Sequence, residues 1–211
     1  MIDWLNLTFS GFDRTLLEFF HNLALNYGNI LTPISKVIAV TTDLPLLLIG
    51  WLGFVLFFVK KDKRCGMSMC GACIIGAIFT TIIIKNLVYR TRPYLASDLY
   101  RSWWEMFKMR LEPDTSFPSG HTCAAMAGVT AYFIWSKNKK VSWLVFLYPL
   151  IVGASRIYLC VHYPSDVLAG LVVGCVSAPI SNIFVNLFYM IFNKYPDFFF
   201  CKYCLTEESK R

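Results

Sequence analysis

An all-α fold, a polytopic membrane bundle of about six transmembrane helices, is predicted by three features of the sequence. Hydrophobic residues make up 56% of the 211 residues and aromatic residues 17%, and the mean hydropathy of +0.53 exceeds that of an ordinary soluble globule. Apolar runs recur at the ~20-residue length that a hydrocarbon layer of roughly 30 Å requires. Short charged or proline-containing joints separate them, and the runs lack the alternation of barrel strands, so each reads as a helix.

The opening "MIDWLNLTFSGFDR" has no basic n-region and carries Asp3 and Asp13. No cleavable signal peptide is expected, and the first apolar segment directs insertion itself. That segment, Thr15 to Val40, is interrupted by Glu18, His21, Asn22, Asn26, Asn29 and Lys36, so it either spans with a tilt or lies partly in the interface. The second span runs from Leu44 to Val59 and stops at "KKDKR". The third, Met67 to Val88, stops at "YRTRPY". The loop that follows, "LASDLYRSWWEMFKMRLEPDT", mixes Trp103, Trp104, Met106 and Phe107 with Arg101, Lys108 and Arg110. Aromatic and basic residues together suit a bilayer interface, so a short interfacial helix is expected before the fourth span, either bordering a path from the lipid or packed as a lid. Cys123 to Trp135, Val141 to Leu159 and Val167 to Phe192 complete the set. With no linker, low-complexity tract or internal repeat, residues 1–211 are expected to form one membrane-embedded domain.

The positive-inside rule puts "KKDKR" and "KNKK" in the cytoplasm. Six spans then leave both termini cytoplasmic, and Arg92, Ser119 and Arg156 share the outer face. The loop from Tyr89 to Ser119 breaks the bias with Arg90, Arg92, Arg101, Lys108 and Arg110, so those residues either have a task or reverse the orientation. The net charge of +7 comes mostly from loops, which favours anionic lipid headgroups as partners over nucleic acid. No basic-aromatic nucleic-acid motif accompanies it.

Three clusters fall on one side of this topology. In "KNLVYRTRPY", Lys85 closes the third span and Arg92 precedes Pro93. Proline holds Arg92 extended, so the chain turns back and both cations can converge; alone, Lys85 also fits simple snorkelling. In "SFPSGHTCAAMAG", Ser119 suits an N-cap, leaving helical N–H groups and a positive dipole end open to an anion. Gly120 allows close backbone approach, and His121 can give or take a proton. An ordinary capped helix with an interfacial histidine would read the same way. In "SRIYLCVHYPSDVLAG", Pro164 suits a first helical turn, and Asp166, four residues after His162, can hold one ring nitrogen and leave the other free to attack. A cap beside an interfacial histidine fits here too.

Together the bland alternatives weaken, because two of only three histidines fall in same-side clusters with Lys85, Arg92 and Arg156. Three cations around a helix N-terminus suit a phosphate. Carboxylate sets of the kind that hold magnesium or calcium are absent from the motifs, so protein cations must neutralise the phosphoryl oxygens.

The triple pattern K-x6-R-P, P-S-G-H and S-R-x5-H-x3-D, at Lys85 to Pro93, Pro118 to His121 and Ser155 to Asp166, resembles the type 2 phosphatidic acid phosphatase family. These are membrane relatives of bacterial acid phosphatases and vanadium haloperoxidases. The likeness extends over nearly the whole chain, and small bacterial members such as undecaprenyl-diphosphate phosphatase or phosphatidylglycerophosphatase look most similar. The resemblance implies that His162 attacks phosphorus to form a phosphohistidine oriented by Asp166, while His121 protonates the leaving oxygen and then activates water. It implies that Lys85, Arg92, Ser119, Gly120 and Arg156 bind the phosphoryl oxygens, with no metal and no cofactor.

The expected function is hydrolysis of the terminal phosphate of a membrane lipid phosphate or diphosphate at the outer face. Undecaprenyl diphosphate is the first choice, ahead of phosphatidic acid and phosphatidylglycerophosphate. A lipid A phosphatase, a lipid phosphotransferase, and a catalytically silent lipid-phosphate binder or transporter are the alternatives. The pairs Cys70/Cys73 and Cys201/Cys204 read as ordinary inner-side thiols rather than a zinc site or disulfides. The sequon at Asn6 reads as a chance match on the cytoplasmic side.

Overall fold

The computed structural model describes residues 2–43, 63–112 and 114–194. The span expected from Leu44 to Val59, most of "KKDKR" and the Cys201/Cys204 pair lie outside the described residues. Among those residues all regular structure is helical, with no strand. Three stretches are long and apolar enough to cross a membrane: Lys63–Ala96, Lys139–Tyr158 and Pro164–Ile191.

Helix α1, Ile2–Asp43, begins well before the expected Thr15 and runs for 42 residues. Asp3 sits in its first turn, where a negative charge complements the dipole. Its backbone leaves helical geometry at Tyr27, ahead of the internal Pro33, whose missing N–H weakens the ladder there. Helix α2, Lys63–Ala77, passes through a π-helical stretch, Ile78–Ile84, into a last turn, α3, Lys85–Val88. After two short helices, α4 (Pro93–Ala96) and α5 (Asp98–Glu105), come α6 (Gly120–Trp135), α7 (Lys139–Ser142), a 3-10 turn (Trp143–Phe146), α8 (Leu147–Tyr158) and α9 (Pro164–Asn193). Helix α5 lies in the aromatic-basic loop, where a short helix was expected. Trp103 stacks on His21 of α1 at 4.1 Å, and Trp104 stacks on Tyr94 at 4.7 Å.

Helices α2, α6 and α9 form the centre of the bundle, and small residues let them approach. A Cβ at Gly174 would lie 2.4 Å from the Cys123 carbonyl oxygen, and one at Gly170 would lie 2.6 Å from that of Ser119. These glycines are four residues apart on one face of α9, so α6 rests backbone against backbone on that face. The seating has a direct result for the site, because the Ser119 N–H donates to the Asp166 carbonyl at 3.0 Å. The start of α6 is thereby fastened to the start of α9. Elsewhere the helices turn apolar side chains outward, among them Val37 of α1, Ile74 and Ile82 before α3, and Val172 and Ile183 of α9, as a lipid-facing surface requires.

Candidate active site

Each cation reaches the site through a specific backbone feature. The π-helical stretch immediately precedes Lys85. A π turn inserts a residue into the ladder and rotates everything after it, a device frequent at functional sites. Lys85 is buried after it, 8% exposed. Tyr89 then adopts a left-handed conformation, φ 48°, which ends α3 and turns the chain back. Arg92 is extended, φ −68° and ψ 152°, with Pro93 opening α4, as the proline predicts. On the third cluster, Cys160 at φ 57° reverses the chain between Arg156 and His162. The Val161 carbonyl then accepts from Arg92 Nη1 at 2.9 Å. His162 Nε2 lies 3.4 Å from the same Nη1.

These residues converge on a cavity of about 200 Å³ whose ionisable lining includes Lys85, Arg92, Glu112, Asp114, His121 and His162. Gly120 also lines it, and a Cβ there would meet no other protein atom within 4 Å, so packing alone does not demand glycine. Ser119 caps α6 by accepting from the Thr122 N–H, while its hydroxyl shares a 2.9 Å hydrogen bond with that of Thr122. Ser119 is thus buried behind the cavity wall. Arg156 is fully buried beside it and bonds the Glu112 carboxylate through Nη2.

Glu112 and Asp114 extend the charge inventory drawn from the motifs, which held three cations and, behind His162, Asp166. Lys85 bonds Asp114. Arg92 pairs with both carboxylates, Glu112 at 2.6 Å and Asp114 at 2.5 Å. Burial by itself would raise the Glu112 carboxyl, but the guanidiniums of Arg156 and Arg92 outweigh it and hold the group below its ordinary value. Asp114 is likewise partly buried, yet its bonds to Lys85 and Arg92 bring it down to about 2. Both are ionised at neutral pH. The His162 pKa is lowered as well, but for an imidazole that favours the neutral form: burial, reinforced by Arg92 and Arg156, pushes it well below 6.5. Its ring is therefore neutral at physiological pH, with a lone pair available.

Asp166 approaches His162 Nδ1 at 3.6 Å, on the nitrogen opposite the Nε2 that neighbours Arg92. The carboxylate stands behind the histidine in a close approach rather than a direct hydrogen bond. The reason is that Asp166 is held by other donors. Its Oδ1 accepts from Arg90 at 2.6 Å, and its Oδ2 accepts from the Tyr163 N–H at 2.8 Å and from the Ser116 hydroxyl. Arg90 also donates to Asp13 at 2.7 Å, to Ser165 at 2.7 Å and to Asn6 at 2.9 Å. Asp13 in turn accepts from the Ser165 N–H at 2.8 Å. Helix α1 is therefore tied through one buried guanidinium to the carboxylate behind His162. The sequence pattern raised Arg90 and Asp13 only in connection with topology and insertion and gave neither them nor Ser116 a place at the site, although an arginine two residues before Arg92 was a visible signal.

Comparison with known proteins places this geometry in a family. The model described as "PAP2 superfamily" matches residues 66–190, a stretch containing all three clusters. Undecaprenyl-diphosphatase BcrC of Bacillus subtilis is 28% identical over 185 residues, covering 82% of this chain and 88% of the relative. Phosphatidylglycerophosphatase B of the same organism is 30% identical over 156 residues, covering 70% of each. The crystal structure of Aquifex aeolicus LpxE shares the fold, with a TM-score of 0.55 and 23% identity over 78% of this chain and 93% of that one.

Proposed function

Since the chain belongs to the PAP2 superfamily, we propose that it is an integral membrane lipid phosphatase acting on terminal phosphates through a phosphohistidine. Undecaprenyl diphosphate is the first substrate, supported by the relative of that activity matched over 82% of the chain. Phosphatidylglycerophosphate and phosphatidic acid follow.

The observation that carries the mechanism is His162 Nε2 beside Arg92 at 3.4 Å, in a cavity that His121 and Lys85 also line. Nε2 attacks phosphorus, the N–P bond forms, and the bond to the leaving oxygen breaks with a proton supplied by His121. Asp166, on the Nδ1 side, stabilises the positive charge that the imidazole acquires. His121 then takes a proton from water as its oxygen attacks phosphorus, the N–P bond breaks, and inorganic phosphate leaves. Lys85, Arg92, Arg156 and the N–H at Gly120 balance the charge on the phosphoryl oxygens, and Ser119, whose own N–H bonds the Asp166 carbonyl, positions that end of α6. No step requires a metal.

Purified protein assayed over a panel of lipid phosphates and diphosphates is expected to release phosphate fastest from undecaprenyl diphosphate. Release should be unaffected by EDTA and blocked by vanadate, which mimics a pentacoordinate phosphorus. A faster rate on phosphatidylglycerophosphate would reassign the substrate, and loss in EDTA with recovery in magnesium would overturn the metal-free mechanism.

We infer six spans with both termini cytoplasmic, the cavity at the outer face and α5 at the outer interface. Supporting this, "KNKK" follows the C-terminal end of α6, while Gly120, which lines the cavity, is at its N-terminal end. In intact cells carrying a variant freed of its eight native cysteines, a single cysteine at Ser102 of α5 should react with an impermeant thiol reagent and one at Asn138 should be protected. The reverse pattern would put hydrolysis on the cytoplasmic side.

A further inference from the structure

Glu112 and Asp114 have no part in the chemistry above, yet they occupy the cations that it needs. Resting on the reading of Lys85, Arg92 and Arg156 as the phosphate cradle, we propose that these two carboxylates are a specificity filter. They make entry an exchange of charge, admitting doubly charged terminal phosphoryl groups and rejecting the singly charged phosphodiester headgroups of bulk bilayer lipids.

The argument begins with burial. Arg156 is 0% exposed and Arg92 2%, and guanidiniums so placed carry a heavy desolvation penalty unless counter-anions accompany them. Among the described residues the cradle has two: Glu112 bridges Arg92 and Arg156, and Asp114 bridges Arg92 and Lys85. A ligand that displaces both must replace two negative charges. A phosphate monoester, or the terminal phosphate of a diphosphate, carries nearly two at neutral pH because its second pKa is about 6. A phosphodiester carries one, so the same exchange would leave a buried cation short of a partner. Both classes present a tetrahedral phosphorus, and the diester exchanges one anionic oxygen for a second ester substituent; the loss of that charge is what a cradle of cations reads.

The geometry also allows the exchange without unfolding the loop. Tyr94 fixes the Glu112 backbone from both sides, its hydroxyl donating to the carbonyl at 3.1 Å and accepting from the N–H at 3.2 Å. The Asp114 carbonyl accepts from Arg92 Nε at 3.0 Å, and the Ser116 N–H donates to the Arg90 carbonyl at 2.7 Å. With the backbone fastened at three points, the side chains can leave by rotation about their own bonds. Asp114, with its side chain 48% exposed, already borders solvent, and Glu112 is 23% exposed.

The test measures inhibition constants of inorganic phosphate, methyl phosphate and dimethyl phosphate for wild type, Glu112→Gln, Asp114→Asn and the double variant. Lys85→Gln and Arg92→Gln serve to test the cradle itself. Removing competing charge-assisted bonds should tighten inorganic phosphate by about tenfold or more in the double variant. Dimethyl phosphate, ineffective on wild type, should become an inhibitor, so that the preference for the dianion narrows. The amide side chains are nearly isosteric, and the single variants should show the same direction if the double variant is unstable. If Lys85→Gln and Arg92→Gln weaken phosphate but the carboxamide variants keep the wild-type dianion preference, the filter is overturned and the cradle stands. If Lys85→Gln and Arg92→Gln leave phosphate inhibition unchanged, the cradle reading itself fails.

Discussion

His162→Ala should lose about 10⁴-fold or more of phosphate release on every substrate, aryl or lipid, because it removes the covalent step itself. His162 combines a neutral imidazole, a place in the cavity wall and a guanidinium 3.4 Å from its Nε2. The loss should be uniform across leaving groups, since an easy leaving group cannot compensate for an absent nucleophile. Thermal unfolding in detergent should show whether the variant remains folded, because replacing a buried imidazole leaves a void. A variant that stays folded and keeps more than a few per cent of activity would mean that another atom attacks phosphorus.

His121→Ala should fail differently. Loss of proton donation to the leaving oxygen is typically worth about 10²- to 10⁴-fold. A lipid alkoxide of high pKa depends heavily on that proton, whereas p-nitrophenolate, with a pKa of about 7, departs largely unaided. The variant should therefore retain relatively more activity on p-nitrophenyl phosphate than on phosphatidic acid. It should also accumulate phosphoenzyme, because the second step loses its base. Equal proportional losses on both esters, with formation of the phosphoenzyme shown to be rate-limiting, would remove His121 from the role of acid.

The parts of this site that could be read from sequence are those set by local backbone chemistry. Pro93 dictates an extended Arg92, Ser119 caps α6, Pro164 opens α9, and the two histidines lie close to these signals. Partner choice across the bundle is a different matter. Asp13 meets Arg90 across 77 residues and Glu112 meets Arg156 across 44, and neither pairing leaves a periodic or propensity signature. The early start of α1 was hidden for a related reason. Asn6 and Asp13 break its apolar pattern because they face Arg90, so residues that look like interruptions are the ones that fasten the helix. The π-helical stretch before Lys85 is likewise a matter of hydrogen-bond register, which the run "IFTTIII" does not reveal. Only the helical character of that run was legible.

The central claim is a phosphorylated His162, and trapping it is the most direct test. Purified His121→Ala, in which dephosphorylation should be slow, would be mixed with terminally radiolabelled undecaprenyl diphosphate, quenched in alkali within one turnover, and the labelled peptide sequenced. The account predicts an alkali-stable, acid-labile phosphoryl group on His162, with none in the variant that also carries His162→Ala. Label on a different residue, or phosphate released in a single turnover by the His162→Ala single variant at the wild-type rate, would contradict it.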